Sequence, residues 1–362
     1  MEGRKLQKVG YSTLSVSLPS RWIKRFRLKK GDTVVCSYEK DGSLRLMPSE
    51  MAESKGSLDV AVNLDLCDSP TLLERLVVGC YIVGYDTITV FSRNKIHGDW
   101  LTVLRNVSQR LIGLSIMDER PDAVVLQCTL DPSSIPLTTM MRRLYALTAT
   151  MYTEVLEALM GFDPTPAKEV VNRESEANML YWLILRVIEL ALTDVRIAEK
   201  VGVQNQHYLP TYRVVIKYLE AIADYLEEAA SNILQLIELN KKPNEAMVKE
   251  LQRIGKIELE VFSGAFESLI TGDLHRANKS VEDRMRLKDD AEEIVTRILR
   301  ETEDPEIAVH IKIVSRAFNR IAEIGASMAH LAINMYVSKP SKMVMPTDSG
   351  RLPKEKTAES QV

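Results

Sequence analysis

The chain has 362 residues, of which 45% are hydrophobic, and its formal net charge is −3. This length and apolar content allow two to four domains with sizeable cores. No apolar run reaches the roughly 18 residues that a membrane helix needs, so we expect no membrane insertion.

The charge is distributed unevenly along the chain. Residues 1–48 contain 11 Lys and Arg and 4 Asp and Glu, a net charge of +7, so the remainder carries −10. A basic head on an acidic body predicts a polyanionic partner for the head alone.

The cysteines indicate a reducing compartment. Cys36, Cys67, Cys80 and Cys128 have neither CxxC spacing nor a nearby cluster of histidines. They are typical of reduced, mostly buried thiols in a cytoplasmic protein. The sequence also shows no signal peptide, which agrees with that expectation.

The basic head has the pattern strand, strand, helix, strand, strand. The predicted elements are strands at Lys5–Lys8 and Ser12–Leu18, a short basic helix after Pro19, and a hairpin of Thr33–Tyr38 with Ser43–Met47 around Asp41-Gly42. One copy of this pattern is too small to bury a core, so we expect a second copy to pair with it.

Over its whole length this head resembles the SpoVT/AbrB-type DNA-binding domain, most specifically in the segment SLPSRWIKRFRLKKGDTV. The resemblance implies an intertwined homodimer, folded as a swapped-hairpin β-barrel, that contacts DNA with basic residues near its hinge loop and helix. Clustered arginines and lysines suit phosphate contacts, and arginine can also read guanine edges. The candidates carried over by position are Arg4, Lys5, Lys8, Arg21, Lys24, Arg25 and Arg27. The open alternative is a head that only dimerises, as in antitoxin-like relatives.

The next segment predicts a small α+β domain after the polar linker 49–57. Its strands and helices alternate in the order βαβαββ, which we interpret as a ferredoxin-like sandwich. Gly79, Gly84 and Gly113 are isolated and form no phosphate loop. We therefore favour a packing role for them over ligand binding.

Residues 137–336 predict long amphipathic helices that repeat. The stretch Leu156–Leu159 followed by Asp163 resembles Phe266–Leu269 followed by Asp273. The helix that starts near Pro210 has a weaker copy at 304–333, which aligns Glu220 with Asn319 and Asp224 with Glu323. Two related three-helix units are predicted. The full set of predicted domains is 1–50, 57–131, 137–240, 241–337 and a disordered tail, 338–362.

These units resemble PhoU, the phosphate-uptake regulator, over roughly 200 residues. That family has two three-helix bundles, and acidic residues on the second and third helices bind metal in some members. Carried over by position, the ligands are Glu174, Glu220 and Asp224, for a divalent or iron-group metal ion of unknown identity. Carboxylates from facing helices suit such cations. The competing interpretation is a solvated acidic stripe.

The second unit departs from the family's acidic pattern. Asn319 stands where Glu220 stands in the first unit, and Arg284 falls at the position of Glu174. An arginine there can balance the charge of Glu323 without a metal. We therefore expect metal in the first unit rather than the second.

Nothing in the sequence supports catalysis, since it contains no P-loop, nucleophile elbow or metalloprotease motif. The expected architecture is multidomain and mainly α, and the combination of domains is similar to archaeal PhoU-related proteins. It implies a cytoplasmic DNA-binding transcription regulator of phosphate uptake. Metal, phosphate status or a transporter partner would shift the packing of the helical units and hence the spacing of paired heads on DNA.

A second hypothesis is an adaptor without operator DNA. Its acidic body would dock on the ATPase of a phosphate ABC transporter, and its head would serve only for dimerisation. The salt dependence of DNA binding separates the two hypotheses.

Overall fold

The computed structural model of the protein describes residues 3–38, 42–49, 58–131, 134–345 and 347. The chain divides into two compact units, 1–58 and 59–362. We describe the first as the head and the second as the body, each by itself. The predicted tail falls mainly on residues outside the described ranges, as do Asp41 and most of the linker.

The described residues of the head form two antiparallel hairpins and one short helix. β1 (Gln7–Val9) pairs with β2 (Thr13–Ser15), and β3 (Val34–Tyr38) pairs with β4 (Leu44–Pro48). Helix α1 (Ser20–Arg25) lies between them in sequence. Gly10 turns the first hairpin with φ of 68°, in the left-handed region that glycine adopts without a steric penalty. The predicted element order of the head is confirmed.

The apolar side chains of the head are mostly exposed. Leu14 is 62% exposed, Val9 55% and Tyr38 89%. Among the described residues the hairpins form two separate two-stranded sheets, not one closed barrel. A single head therefore leaves its apolar surface without a core of its own, and the intertwined barrel stays a prediction.

The body begins with a small α+β domain built on a four-stranded sheet. Its elements are β5 (Asp59–Asn63), α2 (Pro70–Val83), β6 (Thr87–Phe91), α3 (Asp99–Arg110), β7 (Leu114–Arg120) and β8 (Ala123–Cys128). The sheet order is β5-β6-β8-β7, with β5 parallel to β6 and the other pairs antiparallel. The predicted α+β domain with the order βαβαββ is confirmed.

The ferredoxin-like topology predicted for this domain is wrong. A ferredoxin-like fold follows β-α-β-β-α-β, with a strand pair between its two helices. Here the only turn joining two consecutive strands of this sheet is Pro121-Asp122, and it follows α3. That turn joins β7 and β8 into a hairpin at the end of the domain. β8 also pairs with β6, and it therefore lies between β6 and β7 in the sheet.

Within the described part of the body, six long helices follow the α+β domain and give the protein its mainly α character. They are α4 (Leu137–Gly161), α5 (Pro164–Thr193), α7 (Leu209–Glu238), α8 (Glu245–Thr271), α9 (Leu274–Glu301) and α10 (Pro305–Val337). A short α6 (Val195–Lys200) and a 3-10 turn at Gln206–Tyr208 lie in the longer connection between α5 and α7.

The helix caps follow the predicted repeat. Asp163 caps α5 by accepting from the backbone N–H of Thr165, and Asp273 caps α9 by accepting from that of Arg276. An aspartate suits this place because its carboxylate satisfies a first-turn donor and favours the helix dipole. The two aspartates aligned in the sequence thus begin the second helix of each unit.

The α+β domain is tied to the helices by Arg186 of α5, which is only 1% exposed. Its Nη1 donates to the carbonyl oxygens of Tyr81 at 2.6 Å and Tyr85 at 2.8 Å, just where α2 ends. The end of α2 also approaches α5 closely, because a Cβ on Gly84 would lie 2.6 Å from Leu190. A buried cation that caps α2 therefore fixes the domain on the first helical unit.

Two smaller predictions concern the cysteines and the membrane. All four cysteines are free, as expected; Cys36 is exposed, whereas Cys67, Cys80 and Cys128 are half-buried against the core of the α+β domain. Within the described ranges, no helix is both long and apolar enough to cross a membrane.

Candidate functional site

The first candidate surface is the basic face of the head. All seven residues predicted to contact DNA are exposed, and three of them, Arg21, Lys24 and Arg25, lie on α1. Lys8 lies in β1, Arg4 and Lys5 precede it, and Arg27 follows α1. Exposed guanidinium and ammonium groups spread over one small unit provide the sequence-independent part of nucleic-acid binding.

Helix α1 has a local reason for its position. Pro19 at its N-cap has extended backbone angles, and the rings of Trp22 and Phe26 meet edge to face with centroids 5.5 Å apart. Arg25 lies over the Phe26 ring, 5.6 Å from the centroid. Arg27 then adopts φ of 52° and ends the helix. The aromatic pair holds one side of α1 and leaves the arginines and Lys24 in solvent.

The second candidate is the acidic group on the first helical unit. Its α7 carries Glu220 and Asp224, four residues apart, because the apolar residues Val215, Leu219 and Ile222 commit the other face of the helix to the core. Glu220 is buried at 9% exposure, whereas Asp224 is exposed. Glu174 on α5 accepts from the side-chain amide of Asn178.

The structure brings these three carboxyl groups into electrostatic contact. Desolvation by burial, together with the charges of Glu220 and Glu174, raises the pKa of Asp224 to about 6. The ammonium group of Lys217 opposes the rise. Like charges that crowd on one surface favour either protonation or a compensating cation.

The compensating cation in this arrangement is Lys217. Its Nζ lies 2.5 Å from Oε2 of Glu220, three residues further along α7, and 5.5 Å from the centroid of the Tyr181 ring. Among the described residues no group of three or more His, Cys, Asp and Glu side chains is arranged to hold a metal ion. Metal binding by Glu174, Glu220 and Asp224 stays a prediction.

The corresponding position in the second unit holds an arginine, as the alignment implies. Nη2 of Arg284 on α9 donates to Oδ1 of Asn319 at 2.7 Å and lies 3.5 Å from Oε1 of Glu323. Arg320 also pairs with Glu323, at 2.7 Å. Arg284 is buried, with 6% of the residue exposed. The sequence-based expectation that this arginine balances Glu323 agrees with these contacts.

Sequence reasoning missed two charged residues of these units. Lys217 could have been found from its spacing of three residues from Glu220, which places both on one helix face. Glu258 on α8 is a carboxylate among the buried apolar residues of that helix, and this interruption of the core pattern was a visible signal.

Comparisons with known proteins match two parts of the chain. Residues 141–233 match the family model for the PhoU domain. Residues 7–54 match the model described as antidote-toxin recognition MazE, bacterial antitoxin, which is of the AbrB type. The predicted resemblances of the body and of the head are confirmed over these ranges.

Two solved structures are similar to the chain. The phosphate transport system regulatory protein PhoU from Streptococcus pneumoniae is 16% identical with a TM-score of 0.47, covering 56% of this chain and 94% of its own. PhoU from Pseudomonas aeruginosa is 15% identical with a TM-score of 0.46, covering 56% and 96%. No curated protein matches the sequence.

Proposed function

We propose that this protein is a DNA-binding transcription regulator of phosphate uptake and homeostasis, with the head as its DNA-binding part and the helical body as its sensor. The observation that carries the proposal is the presence of both matches on one chain, a PhoU domain at 141–233 and an antitoxin-type head at 7–54. The first points to phosphate regulation and the second to a DNA-contacting or dimerising role.

The exposed cations support DNA binding by the head. All seven candidate residues are accessible to a phosphate backbone, and α1 presents Arg21, Lys24 and Arg25 in a single turn and a half. The body carries the opposite net charge. DNA is therefore attracted to the head and repelled by the body.

The exposed apolar residues of the head support a homodimer. A small monomer seldom leaves several large apolar side chains of one unit in solvent. In the head these are Leu6, Val9, Tyr11, Leu14, Val16, Val35, Tyr38 and Leu44. A second head that covers them would supply the core that one copy lacks and would double the number of cations facing DNA.

In this proposal the body acts by population shift. A change of phosphate status, or contact with a transporter component such as its ATPase, would favour one packing of the two helical units. The buried Arg186 contact would pass such a change from α5 to the α+β domain, which leads to the head along the chain. The paired heads would then fit DNA better in one state than in the other.

The test is a salt titration of the intact protein on two DNA duplexes of equal length. One comes from the region upstream of the phosphate-transport genes of the encoding genome, and the other is a scrambled version. We expect tighter binding to the first, with a logarithmic affinity that falls linearly with the logarithm of salt concentration. Equal affinity for both duplexes would contradict operator recognition.

The adaptor hypothesis is the alternative outcome of the same test. It predicts no salt-dependent DNA binding by a dimeric protein, together with capture of the transporter's ATPase by the body. Chromatin profiling in phosphate-replete and phosphate-starved cells extends the comparison to all sites in the genome. A regulator would change its occupancy between the two conditions, whereas an adaptor would show none in either.

A further inference from the structure

A carboxylate is buried at the seam between the two helical units. Glu258 lies on α8 and is 1% exposed. Neither of its carboxyl oxygens has a hydrogen-bond partner among the described residues. Buried polar groups are nearly always paired, and a carboxylate that is not paired requires an explanation.

Groups from three other helices interact electrostatically with Glu258. They are Tyr152 of α4, Arg284 of α9 and Glu323 of α10. Two of them also carry a buried polar atom without a partner in the described structure, namely the hydroxyl of Tyr152 and Nη1 of Arg284. Unsatisfied hydrogen-bonding groups therefore lie on α4 of the first unit and on α8 and α9 of the second.

The two terminal nitrogens of the Arg284 guanidinium differ in their contacts. Its Nη2 is engaged outward with Asn319, at 2.7 Å, and with Glu323. Its Nη1 is buried and unpartnered. A guanidinium has donors for two carboxylates in its planar fork, so the unused side can serve Glu258.

Burial decides the charge of Glu258. Desolvation by burial and the charge of Glu323 together raise its pKa to about 8, against the opposing charge of Arg284. Tyr152 is not a competing titratable group in this range, because burial and then Glu258 raise its pKa well above its ordinary value. Glu323 already has Arg320 at 2.7 Å as a second cation. Glu258 is thus the group of this cluster whose proton can leave near neutral pH.

We propose that Glu258 and Arg284 form a proton-controlled switch at the seam between the helical units. With Glu258 protonated, Arg284 stays on Asn319 and Glu323, as observed. When Glu258 loses its proton to solvent, the new carboxylate attracts the unused Nη1 and draws Arg284 away from α10. The contacts between α9 and α10 weaken, and the units loosen where α4 packs on α8.

The main variant is Glu258→Gln, which is isosteric and permanently neutral. The matched control is Glu260→Gln on the same helix, because Glu260 is exposed. The folding equilibrium of each full-length protein is measured by urea unfolding from pH 5 to pH 9. Other titrating groups cancel in the ratio of wild type to variant.

The raised pKa of Glu258 determines how stability changes with pH. Above the ordinary pKa of glutamate, Glu258 has lost its proton in the unfolded chain but still holds it in the folded protein. The wild type therefore loses stability as pH rises, until Glu258 also ionises near pH 8. The ratio of the folding constants of wild type and Glu258→Gln should fall up to about tenfold per pH unit in that window. Glu260→Gln should give a flat ratio.

Two measurements on the wild type make the test independent of how the variant folds. Infrared spectroscopy should show a protonated carboxylic acid at pH 7 that disappears by pH 10. Hydrogen exchange, corrected for intrinsic rates, should accelerate in α4, α9 and α10 over the same pH range. The switch would be overturned if the ratio of folding constants stays flat with pH in a folded Glu258→Gln, or if the wild type has no infrared band of a protonated acid at pH 7. It would also be overturned if that band disappears while hydrogen exchange stays unchanged.

Discussion

Nη2 of Arg284 on α9 lies 2.7 Å from Oδ1 of Asn319 on α10. The corresponding residues of the first unit, by sequence alignment, are Glu174 and Glu220. One unit thus has two acids and balances them with Lys217 from its own third helix, whereas the other has a buried arginine and an amide. The two units have the same helical order, but the charged groups between their second and third helices are balanced by different residues.

Replacing Arg284 by lysine tests the importance of its planar guanidinium. Lysine keeps the charge but cannot reach Asn319 and Glu323 with a fork of donors. We expect a loss of about 1–3 kcal/mol in the free energy of unfolding, because the part-buried hydrogen bond to Oδ1 of Asn319 is weakened or lost. Arg286→Lys on the same helix is the control. Arg286 is 76% exposed and lies 3.6 Å from Glu282, so its loss should stay below about 0.5 kcal/mol. Equal losses in urea unfolding would contradict the assignment.

Metal content distinguishes the two units further. If Glu220 and Asp224 hold the metal, the double change Glu220→Gln with Asp224→Asn should lower metal content, and Glu323→Gln should barely change it. Lys217→Met should raise it, because the ammonium group competes with a cation at Glu220. Mass spectrometry after dialysis against manganese, iron, zinc or magnesium gives the content. The prediction is contradicted if both acidic changes lower the metal content equally, or if neither wild type nor Lys217→Met contains metal. Lys217 would then serve as the counter-ion of Glu220 without a metal.

The positions of most helices and strands could be predicted from sequence, and the reasons are local. The strands Thr87–Phe91 and Ala123–Cys128 are bounded by turn residues, and Asp163 and Asp273 mark helix starts by their capping chemistry. These signals depend on neighbours within a few residues. The repeat was visible because it recurs in the sequence itself.

The rest depended on contacts between distant residues. The element order βαβαββ was predicted correctly, but its interpretation as ferredoxin-like was wrong, because that fold has a strand pair between its two helices and this domain has its strand pair after both. Arg186 and Tyr81 are 105 positions apart in the sequence. An arginine in an apolar helix gives no sequence signal of which distant acceptor it will bind. Glu258 was overlooked because a single carboxylate in a core pattern has many possible partners.

Arg186 should prove to be the residue that couples the α+β domain to the helices. Arg186→Met keeps much of the volume but leaves the carbonyl oxygens of Tyr81 and Tyr85 without their donor. We expect a loss of about 1–3 kcal/mol in unfolding free energy, because the Tyr85 carbonyl loses this donor, whereas the Tyr81 carbonyl still accepts from the backbone N–H of Gly84. Hydrogen exchange should also accelerate at the end of α2.

The control for this change is Arg105→Met in the same domain. Arg105 is 56% exposed and pairs with Glu119 at 2.8 Å. Exposed pairs of this kind contribute about 1 kcal/mol or less. A similar loss from both changes, or unaltered exchange at α2 in Arg186→Met, would show that the two parts are held together by apolar packing alone.

The dimer should depend on the apolar surface of the head. Leu14→Asp places a charge on a residue that is 62% exposed in one copy and that we propose is covered by a second. We expect the dissociation constant of the full-length dimer, measured by sedimentation equilibrium, to rise at least about a hundredfold, because a buried unpaired charge costs several kcal/mol. Met285→Asp on α9 is the control, since Met285 is 72% exposed on the body. A stable dimer in Leu14→Asp would contradict pairing through this surface.

DNA binding should depend on α1 in a way that salt reveals. The triple change Arg21→Ala, Lys24→Ala and Arg25→Ala removes three exposed positive charges per protomer. We expect affinity to fall and the slope of the logarithmic affinity against logarithmic salt to flatten by about one unit for each lost phosphate contact.

The control removes the same number of charges from the body. Lys288, Arg297 and Arg300 are exposed on α9, and changing all three to alanine alters the net charge equally. A general electrostatic attraction would weaken in both triple variants, with similar slopes. A contact surface on the head would lose slope only in the α1 variant. An α1 variant that folds, dimerises and keeps both its affinity and its slope would place the DNA contacts elsewhere or favour the adaptor role.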